Sequence, residues 1–582
     1  MACIGIDFGV ATCMAAVYDS DGPRVIKDKR GNEVVDAYFG IDPGTNKPAV
    51  GERARSIFQS DSGLAVEQIQ RRMGEDVEIE LGSKEIRSQK LSPEEIAARL
   101  FRHLKCSVEA QLEEEVDRCV ITVPANFSQP ARRATQQAGE IAGMTVDRVI
   151  NEPTAAALKY DHDEGLEGEY VMVYDLGRGF FSVSIVRRTE DVIDIEASAG
   201  DAHFGVKDLD EALLWHVAEK FEEKHGIGVE PESGNYFRLL FACEGVRNEL
   251  VHSQETSAHI PFFAVKDEDA VDLHVEISRS EYEDLIGSLV AETASSVENV
   301  LDAAALARSD LGDVVLVGEG ARDPYIESFV QHTTGHRPLS QIDPRKVVAL
   351  GAASQAAIIN GRTDTVVMDV CPLSLGTATT EIRNGGKRSG RYVEIIEPNS
   401  KILQPHIFTK KTDHRNQDSI ELPVYQRATK SDSAQAEMDG EPNEQRGYTL
   451  LANLEIDMPP GPEGQEVKFT FVYTPDGMLD ITAEIVKTGK EITFQAHAGM
   501  NQDQVEEARE KIAQGWKESE YFDEVRALLQ VAKDELDSDM ETEKEERLRS
   551  LLEVMKRALA DDDGERVQVL EEKITNVLFE LL

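Results

Sequence analysis

The 582-residue chain has few basic residues, six cysteines, two tryptophans and no long apolar run. Lys and Arg number 62 against 109 Asp and Glu, a net charge of −47, and such a field repels nucleic-acid phosphates and anionic lipid. The scattered cysteines include no C-x-x-C pair, which predicts neither a disulfide framework nor a zinc site. No run approaches the roughly 20 apolar residues of a membrane span. We therefore expect a soluble, cytoplasmic protein without a nucleic-acid or membrane partner.

The excess of acidic residues has two interpretations. It is either a solubilising surface or an adaptation to a salt-rich cytoplasm, where ions screen the repulsion between carboxylates. The apolar fraction of 41% and the charged fraction of 29% are ordinary for globular proteins, which excludes a disordered or fibrous chain. At roughly 150 residues per domain, the length predicts three or four domains.

Apolar runs alternate with helical patterns in the first part of the chain. Val120–Val123, Tyr170–Tyr174 and Val314–Val317 are short runs typical of buried strands. Between them, Pro93–Leu112 and Ser278–Ala305 carry apolar residues three and four positions apart, as amphipathic helices do. Strands interleaved with helices predict α/β layers.

One internal repeat lies within this α/β part. The stretches CIGIDFG at 3–9 and VYDLGRG at 173–179 each run from an apolar strand into Asp-x-Gly, and each is followed by a second β-like stretch. A glycine after a strand-terminal Asp permits a tight hairpin whose backbone N–H groups can face an anion. The repeat predicts two similar halves that face each other across a cleft.

The pattern changes after a short connector at 362–369. From Cys371 to about Gly499, alternating segments such as Ser419–Val424 and Val467–Tyr473 predict an antiparallel β domain, with an exposed acidic loop at 431–445. The rest of the chain has helical periodicity, with three apolar stripes. The stripes comprise Val505, Ala508, Ile512 and Trp516; Leu548, Leu552, Met555 and Leu559; and Val567, Leu570, Ile574 and Val577. This tail is either a bundle that packs on itself or a mobile cover over the β domain.

Several motifs, in one order along the chain, resemble the heat-shock protein 70 chaperone family of the DnaK type. They are IGIDFG, VITVPANF, ATQQAGEIAGMTVDRVINEPTAAALKY, VYDLGRGFFSVSI, VVLVGEGARDP, LGAASQAAI, TDTVVMDVCPLSLG and PDGMLDITA. The resemblance covers nearly the whole chain, and NEPTAAAL is its most specific part.

The resemblance implies a multidomain α/β + β + α fold. Its parts would be an actin-like (ribonuclease H-like) two-lobed nucleotide-binding domain at 1–361, an interdomain linker at 362–370, a β-sandwich peptide-binding domain at 371–500 and a short helical lid at 501–582. It also implies ATP or ADP with Mg²⁺ as cofactors, and unfolded or extended polypeptides as clients of a monomer. J-domain co-chaperones and nucleotide exchange factors are further expected partners. In the family, ATP opens the peptide site and hydrolysis traps the client.

The resemblance also assigns residues to the nucleotide site. Asp7, Glu152 and Asp175 take the positions that hold Mg²⁺ through water, and with Gln70 they make up the expected catalytic set. The nucleotide-binding positions are Gly9, Val10, Ala11, Thr12, Gly177, Arg178, Gly179, Phe180, Glu244, Arg247, Gly318, Glu319, Gly320 and Arg322.

This chain departs from the family pattern around the phosphates. Val10 and Ala11 stand where the family has two threonines, and the second hairpin has Arg178 in place of a glycine and Phe180 in place of a threonine. Glu319 puts a carboxylate where the family has a glycine beside the nucleotide. Arg178 either restores positive charge beside the phosphates, as Arg71 could also do, or fills the phosphate site and excludes nucleotide.

Two further departures concern the chemistry itself. Gln70 occupies the catalytic lysine position, and Ser182 replaces a metal-associated carboxylate. Losing one preorganised group beside developing charge costs about 3 kcal/mol, or roughly 10²–10³ in rate. We therefore expect ATP hydrolysis to be weak or absent, with slow residual turnover as the alternative.

The resemblance extends to the peptide site and to communication between domains. Peptide would contact Thr377, Thr379, Phe408, Ile420 and Leu422, although these side chains could equally form the core of the β domain. The interdomain relay would use Pro124, Arg132, Val366, Val367 and Asp369.

Three functions compete at this point. The first is a divergent DnaK-type chaperone that binds exposed apolar segments under the control of nucleotide. The second is a nucleotide-insensitive pseudo-ATPase that serves as an adaptor or scaffold. A sugar or acetate kinase with the same actin-like fold is disfavoured, because it would not explain the linker, β domain and helical tail.

Overall fold

The protein is described from a computed structural model of the chain. It describes residues 2–582 except 29, 84, 85, 87, 113, 164, 165, 167, 190, 191, 268, 340, 363–365, 369, 372, 384, 385, 428–441, 443–447, 475–477, 496–499, 501, 514–521, 537–542, 561–563 and 582. Of the sequence features above, Trp516 and Asp369, the turn at 475–477 and nearly all of the acidic loop lie outside the described residues.

The first part of the chain builds a mixed sheet with helices against it. Its strands are β1 (Ala2–Phe8), β2 (Thr12–Asp19), β3 (Gly22–Val25), β4 (Val35–Asp36), β5 (Phe39–Ile41), β6 (Pro48–Val50), β7 (Ala65–Val66), β8 (Ile79–Leu81), β9 (Gln89–Leu91), β10 (Val116–Val123) and β11 (Thr145–Asn151). Its helices are α1 (Glu52–Ser60), α2 (Pro93–Leu112), α3 (Gln129–Ile141) and α4 (Glu152–Asp163). The main sheet has the order β11-β10-β1-β2-β3, with β4 also paired to β2.

The next part repeats this plan. Its strands are β12 (Tyr170–Leu176), β13 (Phe181–Arg188), β14 (Val192–Asp201), β15 (Glu255–Lys266), β16 (Asp269–Ser278), β17 (Leu311–Val317) and β18 (Val366–Met368). Its helices are α5 (Val206–His225), α6 (Gly234–Leu250), α7 (Arg279–Ala303), α8 (Pro324–Thr334) and α9 (Val347–Ile359). The sheet order is β17-β12-β13-β14-β18. In both sheets the first strand of the repeat has a parallel neighbour on one side and its antiparallel hairpin partner on the other, which confirms the predicted repeat.

Two four-stranded antiparallel sheets follow. The strands are β19 (Val370–Cys371), β20 (Ser374–Arg383), β21 (Gly386–Ile396), β22 (Ser400–Lys401), β23 (His406–Lys411), β24 (Ser419–Arg427), β25 (Tyr448–Asp457), β26 (Glu466–Tyr473), β27 (Leu479–Ile485) and β28 (Lys490–Gln495). The four-stranded sheets have the orders β21-β20-β24-β25 and β23-β26-β27-β28, and β19 pairs with β22 in a separate two-stranded sheet. Alternate residues of β24 and β26 are buried in one shared core, as their period of two requires.

Four helices complete the described chain: α10 (Gln502–Ala513), α11 (Phe522–Leu536), α12 (Glu543–Ala560) and α13 (Gly564–Leu581). The second and third apolar stripes of the sequence are buried together among α11, α12 and α13. Ala508 and Ile512 of α10 instead join the core of the first sheet. The hypothesis of a tail that packs only on itself is therefore wrong for α10.

Local sequence explains where the helices begin. In α2, the Ser92 Oγ accepts the Glu95 N–H at 3.2 Å and the Glu95 carboxylate accepts the Ser92 N–H at 3.0 Å, with Pro93 at the first helical position. This capping box satisfies two backbone donors that would otherwise lack partners. Ser278 and Glu281 start α7 in the same way, so the strand and helix patterns of this region are confirmed.

Helices α4 and α9 join the two halves. Helix α9 packs on β1 and β2 of the first sheet, α4 packs on β12 of the second, and the two helices pack on each other. Ala155, Ala156 and Ala157 are fully buried, and Gly351 lies so close to the Ala155 backbone that it has no room for a side chain. Small residues thus let the helix axes approach closely, which explains the alanine run of NEPTAAAL.

Across the described residues, we find no helix with the length and apolar character of a bilayer span.

Candidate functional site

The two repeated hairpins face each other across a cavity of about 300 Å³. The Gly9 N–H donates to the Thr12 carbonyl at 2.9 Å, and the Gly177 N–H donates to the Phe180 carbonyl at 3.0 Å. The same backbone bond therefore closes both hairpins, as the repeated Asp-x-Gly motif predicts. The predicted residues that line the cavity are Asp7, Gly9, Val10, Ala11, Thr12, Gln70, Glu152, Asp175, Gly177, Arg178, Gly179, Phe180, Glu244, Gly318, Glu319 and Arg322.

Three carboxylates meet at the bottom of this cavity, Asp175 buried and Asp7 and Glu152 half-buried. Asp7 and Asp175 are the next-to-last residues of β1 and β12, with Asp175 opposite Ser182, and Glu152 starts α4. Burial, and then the charge of Asp175, raise the pKa of Asp7 to about 7. Burial likewise raises the pKa of Asp175 to about 7, and burial and the two aspartates raise the pKa of Glu152 well above its ordinary value. A nearby cation would favour the ionised form of all three.

Gln70 brings no charge to these carboxylates. Its Nε2 donates to the Phe8 carbonyl and, at 3.5 Å, to the Glu152 carboxylate. The Thr122 hydroxyl donates to the Asp7 carboxylate at 3.2 Å. Among the described residues, no three His, Cys, Asp or Glu side chains are grouped so that they could hold one metal ion.

Arg71 and Phe180 close the cleft beside the second hairpin. The Arg71 Nη2 donates to the Gly179 carbonyl, and the guanidinium lies 5.8 Å from the centre of the Phe180 ring. Phe180 also packs edge-on against Phe127, with 5.6 Å between ring centres. A Cβ on Gly179 would lie 3.0 Å from a methyl of Val10, so the two hairpins touch through the buried Val10 side chain.

Arg178 and Arg247 lie at the opposite end of the cavity among carboxylates. Arg178 contacts Asp210 at 3.3 Å, Glu244 at 3.3 Å and Glu319 at 3.8 Å. Arg247 lies behind the cavity wall, where it pairs with Asp210 at 2.6 Å and with Glu319. Burial alone would raise the pKa of Glu319, but the two guanidiniums outweigh it and hold that pKa below its ordinary value.

The sequence analysis missed three residues of this end: Asp36, Arg55 and Asp210. Arg55 of α1 pairs with Glu244 at 2.9 Å and with Asp36 at 3.5 Å. The sequence could have indicated Asp210, because this charged residue lies four positions after Val206 on the apolar face of α5. No such pattern marks Arg55 or Asp36.

The predicted peptide-site residues lie in or beside the core of the β sheets. Ile420 and Leu422 are fully buried there, and Phe408 packs against the same cluster with part of its ring exposed. The Thr377 hydroxyl donates to the Pro423 carbonyl at 2.7 Å. The Thr379 side chain lies outside the described part of the chain.

Of the predicted relay residues, Val366 and Val367 lie in the linker strand β18, Pro124 follows β10 and Arg132 lies in α3. Strand β18 pairs in parallel with β14, Val366 beside Val192 and Val367 beside Ile193. The Val367 carbonyl accepts a hydrogen bond from Arg148 at 3.3 Å. Arg132 is buried and bonded to Asn151, one residue before Glu152. The Pro124 carbonyl accepts the Phe127 N–H at 3.0 Å.

Four contacts hold the β sheets and α10 against the first two parts. Lys401 pairs with Asp194 of β14, and the Gln426 side chain accepts the Gln129 N–H at 2.9 Å. From α10, Lys511 pairs with Glu95 at 2.7 Å and the Ile512 carbonyl accepts from Arg102 at 2.8 Å. The linker strand, the β sheets and α10 are thus all docked on the part that contains the cleft.

Comparison with known proteins agrees with this architecture. A family model described as Hsp70 protein matches residues 3–581. The chaperone protein DnaK from each of two strains of Halobacterium salinarum is 34% identical over 514 residues, which cover 87% of this chain and 77% of the DnaK chain. The chain belongs to the Hsp70 family. Within that family it is a DnaK-type chaperone, and members generally use ATP or ADP with Mg²⁺ and act on unfolded polypeptides with J-domain and exchange-factor co-chaperones.

Proposed function

We propose that this chain binds exposed apolar segments of unfolded polypeptides in its β sheets, under the control of ATP or ADP bound with Mg²⁺ in the cleft. Residues 1–361 would be the actin-like two-lobed nucleotide domain, 362–370 the linker, 371–500 the β-sandwich and 501–582 the lid. One observation carries the proposal. Strand β18 of the linker extends the sheet whose strand β12 delivers Asp175 to the cleft, so a change at the cleft can reach the β sheets.

The carboxylate end of the cleft fits a hydrated magnesium ion. Asp7, Glu152 and Asp175 would hold it through water, because carboxylates with raised pKa values gain most from a nearby cation. When bound, the ion would neutralise phosphate charge. The turns from Gly9 to Thr12 and from Gly177 to Phe180 would lie beside the phosphates. Glu244, Gly318, Glu319 and Arg322 would surround the nucleoside, with Arg247 paired to Glu319 from behind the cavity wall.

Hydrolysis in this cleft would be slow. Gln70 can position a water molecule but carries no positive charge for the transferred phosphoryl group, and Ser182 offers no carboxylate opposite Asp175. Each loss alone removes a group of the kind that typically contributes roughly 10²–10³ in rate. Nucleotide would therefore act mainly through binding.

Peptide would enter beside the partly exposed Phe408. Backbone pairing with a strand edge gives affinity that tolerates many sequences, and apolar contact with Phe408, which packs against the core that contains Ile420 and Leu422, would select extended apolar segments. J-domain co-chaperones and nucleotide exchange factors would be the partners of a cytoplasmic monomer.

A fluorescent extended apolar peptide and the full-length chain test client binding by anisotropy. We expect saturable binding, and Phe408→Ala to raise Kd by about tenfold because a half-buried aromatic contact is lost. Ile407→Ala is the matched control, since Ile407 neighbours Phe408 on the opposite, exposed face of β23. No binding by the wild-type chain would refute the proposal.

A second measurement addresses nucleotide control. ATP with Mg²⁺ should change the rate of proteolytic cleavage within 362–370, where the linker docks. The alternative, a nucleotide-insensitive adaptor or scaffold, predicts identical cleavage with and without ATP.

A further inference from the structure

The hairpin that carries Arg178 is fixed in position beside the cavity. The Val206 and Lys207 N–H groups at the start of α5 donate to the Gly177 and Arg178 carbonyls at 3.0 and 2.9 Å, which anchors this hairpin. The Arg178 side chain is only 8% exposed and extends to Asp210, Glu244 and Glu319. A buried guanidinium is tolerated only where carboxylates or other acceptors surround it.

Each of these carboxylates already has another arginine. Asp210 and Glu319 pair with Arg247, and Glu244 pairs with Arg55 at 2.9 Å. Arg247 and Arg55 are each shared by two carboxylates, so Arg178 supplies the third positive charge for four carboxylates. It also connects these pairs, because it contacts carboxylates of both the Arg247 pairs and the Arg55 pair.

The pair that crosses the cleft is Arg55 with Glu244. Arg55 belongs to α1 and contacts Asp36 of β4, which pairs with the first sheet. Asp210 and Arg247 belong to α5 and α6, whose apolar faces form the core of the second half. With Arg178 in place, ion pairs run continuously from Asp36 on one wall to Arg247 on the other.

The same guanidinium stands where a nucleotide would lie. Arg178, Glu244 and Glu319 line the cavity, and the resemblance assigns all three positions to nucleotide contacts. A phosphate and a carboxylate compete for a guanidinium in the same way, because both accept its paired N–H donors. Nucleotide and these carboxylates would therefore compete for the same guanidinium and the same space.

We propose that Arg178 is an internal competitor for nucleotide, because its bridge to Asp210, Glu244 and Glu319 holds the guanidinium in the space that nucleotide needs. This inference rests on the proposed function in one respect, that the cleft is the nucleotide site. The apparent affinity for nucleotide falls by the fraction of molecules in which the bridge is open, so a bridge formed in about nine-tenths of molecules lowers it about tenfold.

The test compares the wild-type chain with Arg178→Ala, Arg178→Lys and Arg188→Ala. Arg178→Ala removes the bridge, and Arg178→Lys keeps the charge without the fork that reaches several carboxylates. Arg188 ends β13, the strand that follows this hairpin turn, and pairs with Asp161 at 2.8 Å away from the cleft, which makes it the control. Circular dichroism and thermal unfolding establish that each variant is folded.

Two quantities are measured on the full-length proteins: the Kd for ATP with Mg²⁺ by titration calorimetry, and hydrogen exchange of the backbone at 366–368 without nucleotide. We expect Arg178→Ala to bind ATP about tenfold or more tightly than wild type. The linker strand should stay as protected as in wild type, because its pairing with β14 does not involve Arg178. The ATP affinity of Arg178→Lys should lie between, and Arg188→Ala should match wild type.

Unchanged ATP affinity in Arg178→Ala would overturn the inference alone. No ATP binding by any variant would refute both the competition and the nucleotide site of the proposed function. Peptide binding is measured separately, so a chain that binds no peptide would still give interpretable ATP affinities.

Discussion

The two ends of the cleft differ in how far arginines balance their carboxylates. At the carboxylate end, Asp7, Glu152 and Asp175 meet beside an uncharged Gln70, and their pKa values rise. At the arginine end, Asp36, Asp210, Glu244 and Glu319 share Arg55, Arg178 and Arg247. There the pKa of Glu319 falls, whereas burial still raises the pKa values of Asp36 and Asp210.

The difference shows what each end needs from a ligand. Burial penalises every charge, but the arginine end offsets most of its carboxylate charge with its own guanidiniums. The carboxylate end lacks an internal cation, so it gains from a bound one. A bound cation is therefore favoured at the carboxylate end, whereas a ligand at the arginine end must displace existing ion pairs.

The largest predicted effect comes from making the carboxylate end resemble the arginine end. Gln70→Lys would place an ammonium beside Glu152 and, where the family has its lysine, beside the transferred phosphoryl group. We expect single-turnover ATP hydrolysis to rise by roughly 10²–10³. Radiolabelled ATP in excess enzyme measures this rate.

Gln70→Met separates charge from size in that experiment, because methionine is about as long but has no charge. If the lysine and methionine variants hydrolyse ATP at the same rate, the missing charge at position 70 does not limit hydrolysis.

The second-largest effect is expected from removing one partner of a buried ion pair at the arginine end. Arg247→Met would leave the fully buried Asp210 with only the more distant Arg178, and removing one partner of a buried ion pair typically costs about 3–5 kcal/mol. Urea unfolding followed by tryptophan fluorescence measures the loss in the first transition. Arg178→Met should cost clearly less, because each of its carboxylates keeps another guanidinium. Equal losses would contradict the proposed division of roles between the two arginines.

Local pattern was enough to predict most of the first two sheets. The apolar runs of β10, β12 and β17, the helix from Pro93 to Leu112 and the two Asp-x-Gly hairpins depend on period and turn chemistry, which are local properties. The convergence of Asp7 and Asp175 follows from the repeat, because similar halves bring equivalent strand ends to one cleft.

The partners of long side chains and of apolar stripes could not be predicted in this way. The sequence allowed Arg178 either to add positive charge beside the phosphates or to fill the phosphate site. Where its guanidinium lies depends on Asp210 and Glu319, which come from remote segments of the chain. The α10 stripe of Ala508 and Ile512 resembles those of α12 and α13, yet it packs on a different core. A stripe shows that a helix buries one face, but not which surface covers it.

The smallest predicted effect concerns the contact of Arg71 with the second hairpin. Arg71→Ala would remove the hydrogen bond to the Gly179 carbonyl and the contact with Phe180, and we expect it to lower the free energy of unfolding by about 1 kcal/mol. Arg72→Ala is the matched control, since its pair with Glu75 at 3.0 Å is solvent-exposed and such pairs contribute little. Because Arg71 belongs to neither charged end, its loss should leave ATP affinity and linker protection as in wild type. A change in either would mean that the hairpin contact, and not the ion pairs of Arg178, controls closure of the cleft.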